Sequence, residues 1–250
     1  YNRSLLAVFG GFLYTFGGMD PDTCVITREV RRLNLTEDGT WQLRSPMSCP
    51  RHNQGSLIYK ENSISLGGYE ETEDLEIRRV LNSVECYCPS TDQWHLMPSM
   101  LQHRKDPRGV VTIGDSFYIV DGVDYDRHGE ESEFLWQPEA ALEPRAEKHD
   151  PTQQTWQELP ERFGPQPIDF VAVTTLYHCL YVIGGLQMNP DWTSTTVATM
   201  QRFDTRSNKW ETLPSMLHPR FHALATTLHE KIYVFGGMHE NHHNRQDYLN

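Results

Sequence analysis

Cysteine is scarce in this chain: five residues in 250, an odd number (Cys24, Cys49, Cys86, Cys88 and Cys179). So sparse a set does not make a disulfide scaffold and fits a reducing compartment. Cys86-x-Cys88 has strand spacing with both thiols on one face, and no second pair nearby completes a zinc site, so these read as half-buried thiols. Long apolar runs are also missing: no stretch approaches the roughly 18 residues of a membrane span, and no charged-then-apolar leader opens the chain. Basic charge is in deficit, with 22 Lys and Arg against 34 Asp and Glu, a net charge of -12 and a pI near 5.4. That balance argues against a nucleic-acid backbone or an anionic membrane as partner, and favours a basic protein surface. A cytoplasmic location is expected, with cytoskeletal or nuclear association as variants. The triplets Asn2-Arg3-Ser4 and Asn34-Leu35-Thr36 would matter only in a secreted chain.

What the chain does have is a phrase that returns. Leu13-Tyr14-Thr15-Phe16-Gly17-Gly18 recurs around Gly67-Gly68, Asp121-Gly122, Gly184-Gly185 and Gly236-Gly237. The doublets begin at 17, 67, 121, 184 and 236, so the intervals are 50, 54, 63 and 52 residues. A second marker keeps time: Trp41, Trp94, Trp156 and Trp210 stand 24 to 35 residues after one doublet and 26 to 28 before the next. Between them comes an apolar-to-aspartate phrase, clearest in Arg202-Phe203-Asp204-Thr205 and echoed at Glu147-Lys148-His149-Asp150. Repeats of this length make one array of sheets the expected organisation, with repeats near 1-51, 52-105, 106-166, 167-218 and an incomplete 219-250.

Within each repeat the pattern reads as four strands. The first is a short apolar run (Leu5 to Phe9, Ser56 to Tyr59, Val110 to Ile113, Val171 to Leu176, Ala223 to Leu228), closed by tight turns such as Gly10-Gly11, Gly114-Asp115 and His229-Glu230. The second carries the doublet, and consecutive apolar residues, as in Tyr233-Val234-Phe235, suggest a strand covered on both faces. The third ends in a turn at Asp204, Asp150 or Pro89. The fourth bears the Trp, expected to wedge between sheets, and leaves through Pro46, Pro98, Pro160 or Pro214. The final Gln246 to Asn250 reads as the opening of a further third strand.

An apolar strand, a Gly-Gly with a Tyr three residues before it, a turn-marked strand and a Trp strand together resemble the kelch repeat, over essentially the whole chain. The resemblance implies an all-β kelch β-propeller of four-stranded antiparallel blades, about five of them present in a truncated six-bladed propeller. Leu81-Asn82-Ser83-Val84-Glu85-Cys86-Tyr87 and Trp210-Glu211-Thr212-Leu213-Pro214-Ser215-Met216 are closest to the wording of the kelch-like family. There a BTB domain, absent from this chain, engages a cullin scaffold while the propeller recruits a substrate for ubiquitylation.

In such propellers the loops at the channel mouth bind the substrate protein or peptide. The position fourteen residues before each doublet gives Arg3, Asn53, Pro107, Phe170 and His222, with Arg51, Gln54, Arg108 and Arg220 beside them. Arg3, Asn53 and Arg108 keep part of the family's polar pattern; Phe170 and Pro107 depart from it. Arg51 and Arg220 either bridge carbonyls and carboxylates inside the fold or touch a ligand. Tyr69, just after its doublet, is a contact candidate or a packing residue. Repeat three holds an acidic insertion between Asp124 and Glu143 with Phe134-Leu135-Trp136 embedded in it, a partner-binding loop or a tucked solvated one. His239, His242 and His243 lack a second ligand group at metal spacing.

No nucleophile or acid/base motif stands out, so a non-enzymatic role without metal or cofactor is expected. Thr36-Glu37-Asp38-Gly39-Thr40-Trp41 approaches a sialidase repeat once, with its spacing shortened, and reads as a hairpin turn. Two roles stay open: substrate recognition in a cullin-RING ubiquitin ligase adaptor, and an actin-binding cytoskeletal kelch scaffold. A stand-alone propeller scaffold stands third.

Overall fold

The computed structural model describes residues 4–20, 22–36, 39–71, 78–122, 146–160, 168–189, 193–240 and 246–248. Every regular element among them is a strand, and no helix is long and apolar enough to cross a membrane. The chain divides into two compact units, Tyr1–Pro107 and Arg108–Asn250.

In the first unit, β1 (Leu5–Phe9), β2 (Phe12–Phe16), β3 (Val30–Asn34) and β4 (Gln42–Arg44) form one antiparallel sheet in chain order. β5 (Gly55–Tyr59) and β6 (Asn62–Leu66) begin a second. β7 (Tyr69–Glu71) and β8 (Arg78–Val80) leave it as a separate hairpin, and β9 (Val84–Cys88) and β10 (Gln93–Met97) return to complete it in the order β10-β9-β6-β5. Phe9, Tyr14, Phe16, Tyr87 and Trp94 fill the space between these sheets, with Phe9 and Tyr14 stacked at 4.4 Å and Phe16 edge-on to Trp94 at 5.8 Å. Aromatic pairs of that geometry add to the burial of apolar area that holds the sheets together.

The second unit repeats the plan. β11 (Val110–Ile113), β12 (Ser116–Ile119), β13 (Glu147–Asp150) and β14 (Thr155–Glu158) form one four-stranded sheet. β15 (Ile168–Asp169) leads into β16 (Ala172–Leu176) and β17 (Cys179–Ile183); β18 (Leu186–Met188) and β19 (Ser194–Thr196) pair with each other, β18 also with β15. β20 (Met200–Asp204) and β21 (Lys209–Leu213) finish the sheet begun by β16 and β17. β22 (Leu224–Leu228) and β23 (Lys231–Phe235) form a two-stranded sheet, as do β24 (Met238–Glu240) and β25 (Gln246–Tyr248). Tyr118, Val120, Leu180, Val182, Phe203 and Trp210 make the core between the two four-stranded sheets.

Local chemistry explains the hairpins. Gly10-Gly11, Lys60-Glu61 and His229-Glu230 all hold positive φ at both positions, the backbone of the two-residue turn that suits twisted strands. Asp150 and Asp204 each accept two backbone N–H bonds two and three residues on, closing the turn after the third strand. The doublets need glycine because neighbours crowd them: a β-carbon on Gly18 (φ +94°) would lie 2.2 Å from the Ser4 hydroxyl, and one on Gly17 2.4 Å from the Arg51 carbonyl oxygen.

Three expectations change. β17 is buried at every residue, but in β23 Tyr233 and Phe235 are exposed, because only the opposite face of that strand packs in its unit's core. Gln246–Tyr248 does not open a third strand on β23; it pairs with β24. It therefore corresponds to β8 and β19, the hairpin arms that precede a third strand. Trp94 and Trp210 do bridge to the preceding outer strand, donating Nε1–H to the carbonyls of Ser45 (2.8 Å) and Pro160 (2.9 Å), whereas Trp41 is 45% exposed.

Candidate functional site

The segment leading into three of the first strands is built on one arginine. Gly18 N–H donates to the Arg51 carbonyl (2.9 Å), Arg51 N–H to Thr27 O (3.4 Å) and Thr27 N–H to Gly18 O (2.9 Å), a closed ring of three backbone bonds. Gly68, Arg104 and Leu81 repeat the ring in the first unit, and Gly185, Arg220 and Val197 in the second. A methionine wedges beneath each first glycine: Met47, Met100 and Met216. The ring fixes where the lead-in segment leaves the sheet, satisfying backbone groups that a loop would otherwise expose.

The arginine side chain then crosses to the following sheet. Arg51 donates to the carbonyls of Gly67 (3.2 Å) and Ser83 (3.4 Å) and to the Ser83 hydroxyl (3.0 Å), and pairs with the Glu85 carboxylate; both charged groups are wholly buried. Glu85 also accepts the Ser48 N–H at 2.9 Å. Of the two roles open to Arg51, these contacts describe bridging, and a side chain with no exposed surface cannot meet a partner while the sheet is intact. Arg220 sends Nη1 to the Gly236 carbonyl at 2.7 Å in the same manner, but is only half-buried. Arg104, and not the exposed Arg108 to which the spacing points, is the third member and is fully buried. Its signal was present, since it stands before its doublet much as Arg51 does. Before Gly184 the place belongs to Ile168, and there Gly122 N–H is taken by the Asp169 carboxylate (3.2 Å) in place of a carbonyl.

Two residues beyond Arg51, Arg104, Ile168 and Arg220 the chain passes through the left-handed region at one residue: Asn53 (φ 52°), Asp106 (φ 48°), Phe170 (φ 54°) and His222 (φ 54°). Asn and Asp tolerate this conformation, but a bulky Phe there is an outlier. Strain repeated at one structural position shows that the surrounding rings over-determine it. In repeat three the residue is Asp106 and not the expected Pro107, because the segment is one residue longer there. All four side chains are half-buried, just ahead of the first strand of their sheet. In the second unit His222 N–H donates to the Phe170 carbonyl (3.0 Å), and its ring lies 4.4 Å from that of Phe170 and 5.2 Å from that of buried Phe221, so Phe170 and His222 form a part-exposed aromatic pair backed by Phe221. Arg108 is exposed, and Pro107 beside it in the chain is buried.

The remaining candidates separate. Gln54 is buried, its Nε2 donating to the Phe16 carbonyl at 3.0 Å. Tyr69 stacks on buried His52 at 5.3 Å and exchanges two backbone bonds with it, so most of its ring serves packing. Arg3, Phe134, Trp136, His242 and His243 lie outside the described residues. His239 stands on β24. Cys86 is pushed up to about 11 by burial, with Cys88 adding to the rise; half-buried Cys88 falls to about 7 through its hydrogen bonds to Ser90 and Thr91. All five thiols are free.

The comparisons agree with this architecture. The family description "Kelch motif" matches residues 66–101 and 169–217, which hold one doublet-to-Trp course from each unit. Kelch-like protein terF of Aspergillus terreus is 24% identical over 92% of this chain and 48% of its own length. Beta-scruin of Limulus polyphemus is 24% identical over 95% of this chain and 25% of its own length. The chain thus spans half or less of the curated relatives it matches. The solved structure described as "Structure of YjhT" superposes with a TM-score of 0.67 at 16% identity, over 96% of this chain and 73% of that one. With antiparallel sheets, doublets and turn chemistry alike in place, the chain carries kelch motifs and has the kelch-type propeller fold.

Proposed function

We propose that this chain is a protein-binding kelch module, the substrate-recognition part of a cullin-RING ubiquitin ligase adaptor, without catalytic chemistry of its own. The observation that carries the binding role is the constant frame with changing side chains: Asn53, Asp106, Phe170 and His222 occupy one strained position, yet differ in chemistry from repeat to repeat. Packing alone would favour glycine or asparagine there; a Phe and a His held in that conformation suit recognition. The adaptor role rests on the kelch-like wording of residues 81–87 and 210–216. A BTB domain outside this chain would supply the cullin contact.

In the second unit the Phe170 and His222 pair, backed by buried Phe221, suits an apolar or aromatic side chain of a substrate better than an acidic peptide. Asn53, Asp106 and Arg108 supply polar contacts, and Arg3, Tyr69, Phe134 and Trp136 are assigned contributing positions. Capture from cell lysate with the full-length parent protein tests this. Recovery of one discrete protein together with cullin, lost with His222→Ala or Phe170→Ala, supports the reading. Recovery of actin alone, unaffected by either variant, replaces it with the cytoskeletal scaffold, and a capture identical in all variants removes the proposed face.

A further inference from the structure

The β16–β17 turn and the β20–β21 turn meet at the end of their sheet opposite Phe170. The His178 carbonyl accepts from both the backbone N–H (3.2 Å) and the hydroxyl (2.8 Å) of Thr205, which ties the two turns together. Cys179 and Asp204 are direct cross-strand partners, so their side chains share a face. Asp204 spends Oδ1 on the N–H groups of Arg206 and Ser207, leaving Oδ2 at 3.6 Å from His178 Nε2. The ligand atoms of His178, Cys179 and Asp204 lie within 4.8 Å of one another. His178 and Asp204 are each about one-third exposed, and Cys179 is buried at the rim of the core.

We propose that His178, Cys179 and Asp204 form a three-ligand site for a zinc-type divalent cation, its fourth position open to water or to a partner's donor. One thiolate, one imidazole and one carboxylate form a borderline-soft donor set that suits zinc and excludes calcium or magnesium, which take oxygen ligands. Tetrahedral bonds of ~2.0–2.3 Å set ligands roughly 3.3–3.8 Å apart, so rotation of the two part-exposed side chains by about an ångström closes the site. The Asp204 carboxylate is already ionised, held below its usual range by the Arg206 N–H first and then that of Ser207. Burial pushes the Cys179 thiol up, so metal binding must release a proton. Arg202 is engaged with Glu211. The site is distinct from the lead-in segments and stands independently of the binding role.

Titration of the reduced, metal-free chain with Co²⁺, followed by Zn²⁺, tests it. One Co²⁺ per chain is expected, with a thiolate-to-metal charge-transfer band that Zn²⁺ displaces. Cys179→Ser removes the band, while His178→Gln and Asp204→Asn, the latter keeping the turn, each weaken binding at least ~10-fold. Cys88→Ser leaves the band intact. Absence of any band, or a band that survives Cys179→Ser, or equal affinity in the Asn and Gln variants, overturns the proposal.

Discussion

At the residue scale, two glycines with the same backbone requirement separate crowding from strain. Gly18→Ala meets the Ser4 backbone at 2.8 Å on top of its left-handed φ, whereas Gly114 (φ +61°) has nothing within 4 Å of the added carbon. Urea denaturation should show Gly18→Ala losing about 2–4 kcal/mol and Gly114→Ala about 1 kcal/mol. Equal losses would mean that the contact with Ser4 is not made. Arg51→Ala strands a buried Glu85 carboxylate and should cost about 3–5 kcal/mol, more than Arg220→Ala, where a half-buried residue gives up a bond to the neutral Gly236 carbonyl.

His149 gives a pH signature. It is wholly buried, stacked on Phe117 at 5.1 Å, and neither ring nitrogen has a hydrogen-bond partner among the described residues. Burial holds its pKa below the ordinary value, with Asp150 opposing. Because the unfolded chain takes up the proton first, this stability is complete above about pH 6.5 and is lost as pH falls from there toward the lower folded value. His149→Phe should flatten the stability profile in that window. The depressed carboxylates Asp92, Asp150 and Asp204 act separately, below about pH 4. An unchanged slope between pH 6.5 and 5 in the variant would show that His149 is not buried neutral.

At the scale of the element, the Trp strands act across sheets. Trp94→Phe keeps most of the ring but abandons the Ser45 carbonyl, so a loss of about 1 kcal/mol is expected in thermal or urea unfolding, with Trp210→Phe behaving alike. Trp41→Phe, from an exposed ring, should cost little. A uniform cost across the three would contradict the bridging role. What was legible in the sequence was what is local: the five first strands, the two-residue turns and the aspartate turns depend on neighbours within a few residues. The Arg51, Arg104 and Arg220 rings were not legible, because each joins three segments far apart in sequence through backbone atoms that carry no residue signature. The left-handed place of Asp106 was missed for a related reason, a one-residue lengthening that spacing alone assigns to Pro107. Gln246–Tyr248 misled because a short polar strand looks the same whether it pairs with the doublet strand or with the hairpin after it.

At the scale of the whole molecule, the proposed binding surface and the charge of -12 make different demands on a partner. An aromatic contact at Phe170 and His222 binds with little dependence on ionic strength. A contact made chiefly by acidic residues weakens as salt screens it. Hydrogen exchange of the full-length chain, with and without its captured partner, tests the central claim most directly. The lead-in segments around Asn53, Asp106, Phe170 and His222 should gain protection while the outer strands β4, β10, β14 and β21 stay unchanged. Protection confined to those outer strands, with the lead-in segments unaffected, would contradict the account.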